Sequence, residues 1–502
     1  MDENRDFVKY RFCTNRDFVR YLVVKNLDFV NFPLPVGAIP ARIARMETKH
    51  DTMFHRKIND RLVGWKRESQ GRTAVLIEGA RRVGKSTAAL AFAKTEYDSH
   101  LLIDFSKAGR CVKDLFEEYL DDLDTFFLYL QNLFHVKLEP RKSLVIFDEV
   151  QRFPRAREAI KHLVADGRYD YLETGSLISI RKNVRDILIP SEERRIQMFP
   201  MDFEEFLWAR GNATAVPLIR DCLSKRRPLG PLHRSLMDLF RQYMVVGGMP
   251  QAVAEFVKSG DLSRVDAAKR DILALYRDDI HKYAGSLRFK VESVFGDIPS
   301  QLGRHEKRFS LAGFGKNARM RDWDAAFEWL EEAMTVNLCH GASEPNVGLR
   351  LNLERSSVKC YLADTGLLVS AAFDENALAA EDIHNRLLFD RIEINEGMIV
   401  ENIVAQMLRA SGKALYFYSN SSRESAADRM EIDFLLAKSK LERRRNIIPI
   451  EVKSGKNYTT RSLDKFLVKF RSFVDAPLVL HPGDLKESNG VLFLPLYMTP
   501  FL

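Results

Sequence analysis

Gly79-Ala80-Arg81-Arg82-Val83-Gly84-Lys85-Ser86-Thr87 follows directly on the apolar run Ala74-Val75-Leu76-Ile77. Two glycines flank four residues, and a lysine and two hydroxyls come next. This spacing predicts a loop that wraps a phosphate, with successive backbone N–H groups aimed at its oxygens. Lys85 then reaches the β- and γ-phosphates, and Ser86 offers its hydroxyl to Mg²⁺. A helix from Ser86 to about Lys94 presents its positive dipole end to the same anion. An ordinary strand-to-helix turn needs one glycine and neither lysine nor hydroxyl.

A second acidic element matches the first. Leu144-Val145-Ile146-Phe147 reads as a buried parallel strand and ends in Asp148-Glu149. Acids at the carboxyl end of such a strand face the crevice where ligands bind. Asp148 is expected to hold the Mg²⁺ shell and Glu149 to polarise the attacking water. Together the two elements predict binding of ATP or GTP.

At 502 residues the chain exceeds one hydrophobic core. Apolar content of 46% and charged content of 29% describe a soluble globular class. No apolar stretch reaches the length of a membrane span, and Met1-Asp2-Glu3 is not the start of a secretory leader. Five cysteines show no CxxC pair and no zinc spacing, which fits a cytoplasmic location. The net charge of +8 suits a polyanionic partner or simply a solvated surface.

The first residues repeat with a period of eleven, as Asn4-Arg5-Asp6-Phe7-Val8, Asn15-Arg16-Asp17-Phe18-Val19 and a degraded Asn26-Leu27-Asp28-Phe29-Val30. A translated tandem repeat upstream of a start at Met46 or Met53 accounts for this, so residues 1–52 are expected to be a weakly attached extension.

Beyond Met53, strand-like runs at 72–78, 101–105, 144–147, 169–174 and 195–199 alternate with helical stretches, including 115–134 and 155–165. That alternation predicts a parallel sheet covered on both faces. Thr174-Gly175-Ser176 ends the fourth strand. Its hydroxyls either point toward the γ-phosphate or form a polar turn.

The order of these parts resembles an AAA+ ATPase of the archaeal-type group related to STAND nucleoside triphosphatases. The blocks carrying the resemblance read GARRVGKST, LVIFDEVQ, ETGS, MFPMDFEEFL and YMVVGGMPQAV, followed by KCYLADTGLL, ENIVAQML, EIDFLL and IPIEVKSG. The resemblance implies a Walker A role for Gly79 to Ser86 and a Walker B role for Asp148 and Glu149. It also implies a sensor near Thr174 to Ser176, so that Glu149, Lys85, Thr174 and Ser176 are the catalytic candidates. A Mg²⁺-dependent ATPase acting as a homo-oligomer follows from it. Arg194 and Arg195 lie where an arginine finger would, and either is equally readable as a surface charge.

From about Val216 the pattern turns helical. The corner Gly247-Gly248-Met249-Pro250 reads as packing, with an approach to nucleotide as the alternative. Residues 293–302, 316–333 and 358–362 suggest a winged helix-turn-helix, whose Arg304, Lys307, Arg308, Lys316, Arg319 and Arg321 would meet phosphates. In the C-terminal part, Ile432, Phe434 and Leu436 are expected on one strand face, with Asp433 opposite. Ile448, Ile450 and Val452 likewise leave Glu451 and Lys453 opposite. With Glu401 on a nearby helix, these residues form a PD-(D/E)xK nuclease pattern, with a second Mg²⁺ or Mn²⁺ on Asp433 and Glu451. The basic Lys438, Lys440, Arg443, Arg444 and Arg445 suggest a nucleic-acid backbone or a solvated loop.

The expected fold is therefore α/β in three parts after the extension. These are a P-loop AAA+ parallel-sheet core (53–215), a helical and winged-helix-like middle (216–380) and a restriction-endonuclease-like α/β domain (381–502). Two functions follow. One is an oligomeric ATP-driven switch or motor acting on nucleic acid, DNA rather than RNA. The other is a STAND-like regulatory ATPase whose C-terminal domain binds a protein and cuts nothing.

Overall fold

Strand β1 (Ala74–Gly79) occupies an interior place in a five-stranded sheet, and its carboxyl end feeds the phosphate-binding loop. The computed structural model describes residues 53–175, 191–316, 318–346, 348–373, 396–420, 428–438, 445–455 and 457–502. The repeats, Ser176, Lys440, Arg443 and Arg444 lie outside the described residues.

The sheet runs β2 (Ser99–Asp104), β3 (Ser143–Asp148), β4 (Asp170–Gly175), β1, β5 (Glu193–Met198), and every neighbouring pair is parallel. Both faces are buried, as parallel strands require. Val75, Ile77 and Leu172 pack with Leu62 and Trp65 of α1 (Lys57–Ser69) and Phe92 of α2 (Lys85–Glu96). Leu76, Val145 and Phe147 pack on the other side with residues of α3 (Arg110–Glu118), α4 (Leu123–Phe134) and α5 (Pro154–Asp166). The single helix expected over 115–134 is thus two, because the Asp122 carboxylate accepts the Thr125 N–H at 3.2 Å and caps a new start.

Strand order matters for the site. Since β4 separates β1 from β3, Thr174 stands between the loop after β1 and the acids after β3.

Helices α6 (Phe203–Ala209), α7 (Ala215–Ser224), α8 (Leu232–Val246), α9 (Pro250–Ser259), α10 (Leu262–Tyr283), α11 (Arg288–Leu302) and α12 (Asp324–Glu332) follow. Then β6 (Val336–Ala342) and β7 (Leu353–Leu362) form an antiparallel pair. That pair is no wing. β6 continues in parallel into β8 (Tyr416–Asn420), and both strands are part of a second, eight-stranded sheet. The helix expected over 316–333 begins only at Asp324. Three of the basic residues assigned to phosphates are paired with acids: Lys307 with Glu401, Arg308 with Glu306 at 2.6 Å, and Arg321 with Asp322 at 3.7 Å.

The second sheet continues through β9 (Met430–Ala437), β10 (Ile447–Val452), β11 (Leu478–His481), β13 (Val491–Pro495) and β12 (Lys486–Ser488). Helices α13 (Thr365–Ala372) and α14 (Glu396–Ala410) lie under it, and α15 (Arg461–Phe470) packs against β9. One hydrophobic core holds Phe240, Ile272, Leu368, Ile403, Phe434 and Tyr497, so the helical middle and the second sheet are packed as one body. Among the described residues no helix is long and apolar enough to cross a membrane.

The double glycine is a packing device. A Cβ on Gly248 would lie 2.0 Å from the Met201 carbonyl oxygen, and one on Gly247 would lie 2.3 Å from an Asp364 oxygen. Gly247 also has φ +81°, which favours glycine.

Candidate functional site

The loop from Gly79 to Lys85 adopts the backbone that its glycines allow. Gly84 sits at φ 99° and Arg82 at φ 67°. A Cβ on Gly79 would come within 2.6 Å of the Met198 carbonyl, so the loop is seated on β5 without room for a side chain. Lys85 is buried at the first turn of α2 and donates to the carbonyls of Gly79 (3.0 Å) and Ala80 (2.9 Å). Burial pulls its ammonium pKa down to about 8, against the opposing charges of Glu149 and Asp148.

Ser86 Oγ donates to Asp148 at 2.7 Å. Thr174 is fully buried and donates its hydroxyl to the same Asp148 oxygen, while the Glu149 N–H donates to Thr174 Oγ at 3.3 Å. Thr174 thus bonds to both acids. Glu149 adopts φ 55°, a left-handed backbone that a non-glycine residue holds only when its neighbours fix it. Gln151 helps to do so, donating to Glu149 Oε2 at 2.6 Å. A hydroxyl and a carboxylate held together at the end of β3 are hard oxygen donors of the kind Mg²⁺ takes.

Lys85, Ser86, Asp148, Glu149 and Gln151 line a cleft of about 710 Å³. Its floor is the loop with Ser86, Thr87, Asp148 and Glu149, and its roof is Pro250, Gln251, Ala254, Glu255 and Lys258 of α9 with Asp279 and Tyr283 of α10. Gly247 and Gly248 do not line it. Arg81 reaches from the loop to Asp279 at 2.8 Å, and the Tyr276 hydroxyl donates to the Arg81 carbonyl at 3.1 Å. The roof is thereby fastened to the loop.

Three contributors escaped the sequence. Asp104 ends β2 level with Asp148 and lines the cleft, and its position at a strand's carboxyl end was the available signal. Asp279 lies on a distant helix and carried no signal. Arg56 is buried and bonds to Glu205 (3.0 Å) and to the carbonyls of Val83 (3.0 Å) and Phe199 (2.7 Å). It ties the loop to the Asp202–Glu205 capping box that opens α6.

Neither arginine-finger candidate is free. Arg194 pairs with Glu68 at 2.5 Å. Arg195 pairs with Glu193 at 3.1 Å, and Glu193 also accepts both arms of the buried Arg157.

The second constellation divides. Glu401, on α14, accepts from Lys307, Tyr361 and Lys359, the last at 3.1 Å. Lys359 also meets Glu431 at 2.7 Å and Asp433 at 3.8 Å. Burial opposes the charge on Glu401, yet Lys359 and Lys307 hold its pKa below the usual range. Burial and the neighbouring Glu401 push Asp433 up. Glu451 is elsewhere. Ile448, Ile450 and Val452 share a face in the main core as expected, so Glu451 turns to the opposite side, where Lys453 donates to it at 2.6 Å. The expected face of Ile432, Phe434 and Leu436 is broken. Tyr416 pairs with Leu435 but Tyr418 with Ile432, so β9 bulges and Ile432 packs away from Phe434 and Leu436. Among the described residues no group of three or more His, Cys, Asp or Glu is placed to hold a metal. The residues do not fit the second ion.

The first site lies within a stretch that matches a known family. Residues 71–207 match a family model described as AAA domain. Residues 237–377 match a Domain of unknown function (DUF8612), and residues 396–498 match a Domain of unknown function (DUF4143). Residues 71–207 are thus similar to an AAA-type P-loop ATPase domain.

Solved structures similar to the chain include a Walker-type ATPase of Pyrococcus abyssi, at 17% identity over 64% of this chain and 97% of that one, with a TM-score of 0.39. Another is PCH-2 of C. elegans, at 14% identity over 44% of this chain and 70% of that one, with a TM-score of 0.26. A third is a signal transduction ATPase with numerous domains (STAND) and a tetratricopeptide-repeat sensor from Pyrococcus horikoshii. It shows 11% identity over 68% of this chain and 47% of its own, with a TM-score of 0.25. The comparison with curated proteins found no match.

Proposed function

We propose that this protein is an ATP-hydrolysing regulatory switch whose C-terminal half binds a protein partner. The observation that carries the ATPase part is the convergence of Lys85, Ser86, Asp148 and Glu149 on one cleft. Lys85 neutralises the β- and γ-phosphates, and Glu149, steadied by Gln151, takes the proton of the attacking water. Ser86 and Asp148 would hold Mg²⁺, which would supply charge to stabilise the transferring phosphoryl group.

The switch part rests on the roof. A nucleotide lying between the loop and α9 and α10 bears on the Arg81–Asp279 pair. The residues before α9 connect that roof to the second sheet, because the Gly248 N–H donates to Asp364, which also caps α13 by accepting the Leu367 N–H at 2.9 Å. Gln406 of α14 reaches the same carboxylate at 3.4 Å. Occupancy of the cleft is in this way felt by the C-terminal half.

The second reading, an oligomeric motor on DNA, draws on the net charge of +8. The pairing of Lys307, Arg308 and Arg321 with acids favours the regulatory reading. Turnover of ATP with and without DNA or RNA separates the two, since stimulation by DNA supports the motor. Glu149→Gln should keep ATP binding and slow turnover at least about a hundredfold. Wild-type turnover in that variant would refute hydrolysis at this site. Sizing with ATP and with ADP tests for a homo-oligomer.

A further inference from the structure

We propose that Lys359 and Lys307 take the place of a divalent cation in the C-terminal half, making its carboxylate cluster a permanently closed, metal-independent ion site. The geometry is specific. Lys359 starts on β7 and extends over the Phe417 ring on β8, with its ammonium 5.0 Å from the ring centroid. It ends among Glu401 of α14 and Glu431 and Asp433 of β9, at 3.1, 2.7 and 3.8 Å.

Both oxygens of Glu401 are used, one by Lys359 and Tyr361 and the other by Lys307. One oxygen of Asp433 accepts the Val452 N–H at 2.8 Å, and the other faces Lys359. Two ammonium groups supply the same formal charge as one Mg²⁺ or Mn²⁺. Mg²⁺ needs oxygens at about 2.0–2.1 Å in near-octahedral array, and the centre of this group is filled by an amine. Glu451, the further acid such an ion would need, faces the other side of the sheet with Lys453.

Lys359 is wholly buried, and removing one member of a buried charge group leaves the others uncompensated. The cluster also fastens four separate stretches of chain, through Lys307, Lys359, Glu401 and the β9 acids Glu431 and Asp433. Its role is to hold the second sheet on α14, and the proposal is independent of ATP turnover.

The test uses the full chain carrying Asp148→Asn, so that the nucleotide site does not contribute metal binding. Titration with MnCl₂ should show no heat assignable to the C-terminal half, and the melting temperature should not change between 5 mM MnCl₂ and EDTA. Adding Lys359→Met should lower the melting temperature by about 5 °C, and MnCl₂ should now raise it, because Glu431 and Asp433 lack their cation and Glu401 keeps only Lys307. If Lys359→Met does not fold, Lys359→Arg keeps the charge and should fold with no response to MnCl₂. Stabilisation of the Lys359-containing chain by MnCl₂ that disappears in Asp433→Asn would overturn the proposal. So would metal-dependent cleavage of DNA or RNA abolished by the same change. Either result would leave the ATPase reading intact.

Discussion

The Gly248 amide donates to the Asp364 carboxylate at 2.6 Å, joining the corner before α9 to the start of α13. Asp364→Ala strands the buried N–H groups of Gly248 and Leu367, each costing about 1–3 kcal/mol. Gly248→Ala drives a Cβ into the Met201 carbonyl and should cost a similar amount. Both should lower the urea midpoint. If Asp364 also transmits the nucleotide state, proteolysis of the C-terminal half of Asp364→Asn will no longer differ between ATP and ADP.

Lys85 sets a pH dependence for nucleotide binding. Its pKa of about 8 in the free protein rises when a triphosphate lies beside it. Below pH 8 the ammonium is already charged and affinity is flat. Above it, binding must take up a proton, and affinity falls by up to about tenfold per pH unit. Calorimetry in buffers of different ionisation enthalpy should show proton uptake at pH 9 and none at pH 6.5. Lys85→Ala should not bind ATP.

Arg56 predicts a stability effect outside the loop. Its loss leaves Glu205 buried without its guanidinium and frees the Val83 carbonyl, at a cost of about 3–5 kcal/mol. Arg56→Lys should not restore it, since an ammonium cannot span three acceptors in a fixed fork. Equal urea midpoints for Arg56→Lys and the parent would contradict this.

Thr174→Val keeps the shape and removes the hydroxyl shared by Asp148 and the Glu149 N–H. Stability should fall by about 1 kcal/mol. Turnover should drop about tenfold or more at saturating Mg²⁺–ATP, with ATP affinity little changed. A fall in affinity alone would instead place Thr174 against the nucleotide.

The loop and the Asp148–Glu149 pair were legible because each is a contiguous run whose chemistry and geometry coincide. Asp279 and Arg56 were not, since Asp279 reaches the loop from a helix far along the chain and Arg56 from the residue before α1, outside the motif. Lys359 lies in the run Lys359-Cys360-Tyr361-Leu362, but nothing local reveals that its ammonium crosses two strands to Glu431. Asp433 and Glu451 were brought together on paper by strict alternation. The bulge in β9 breaks that alternation, and one extra residue is enough to move side chains to another face.

The second sheet also limits how the protein can be taken apart. Residues 237–377 and 396–498 match separate family models, yet β6 from the first lies beside β8 from the second, with β7 beyond it, in a single sheet. A fragment beginning at residue 396 would bare the edge of β8 and leave Glu401, Glu431 and Asp433 without Lys359. Such a piece should aggregate when expressed by itself. Any loss of activity on dissection at that boundary would then report a broken scaffold, so point substitutions in the intact chain are the sound way to assign roles to its halves.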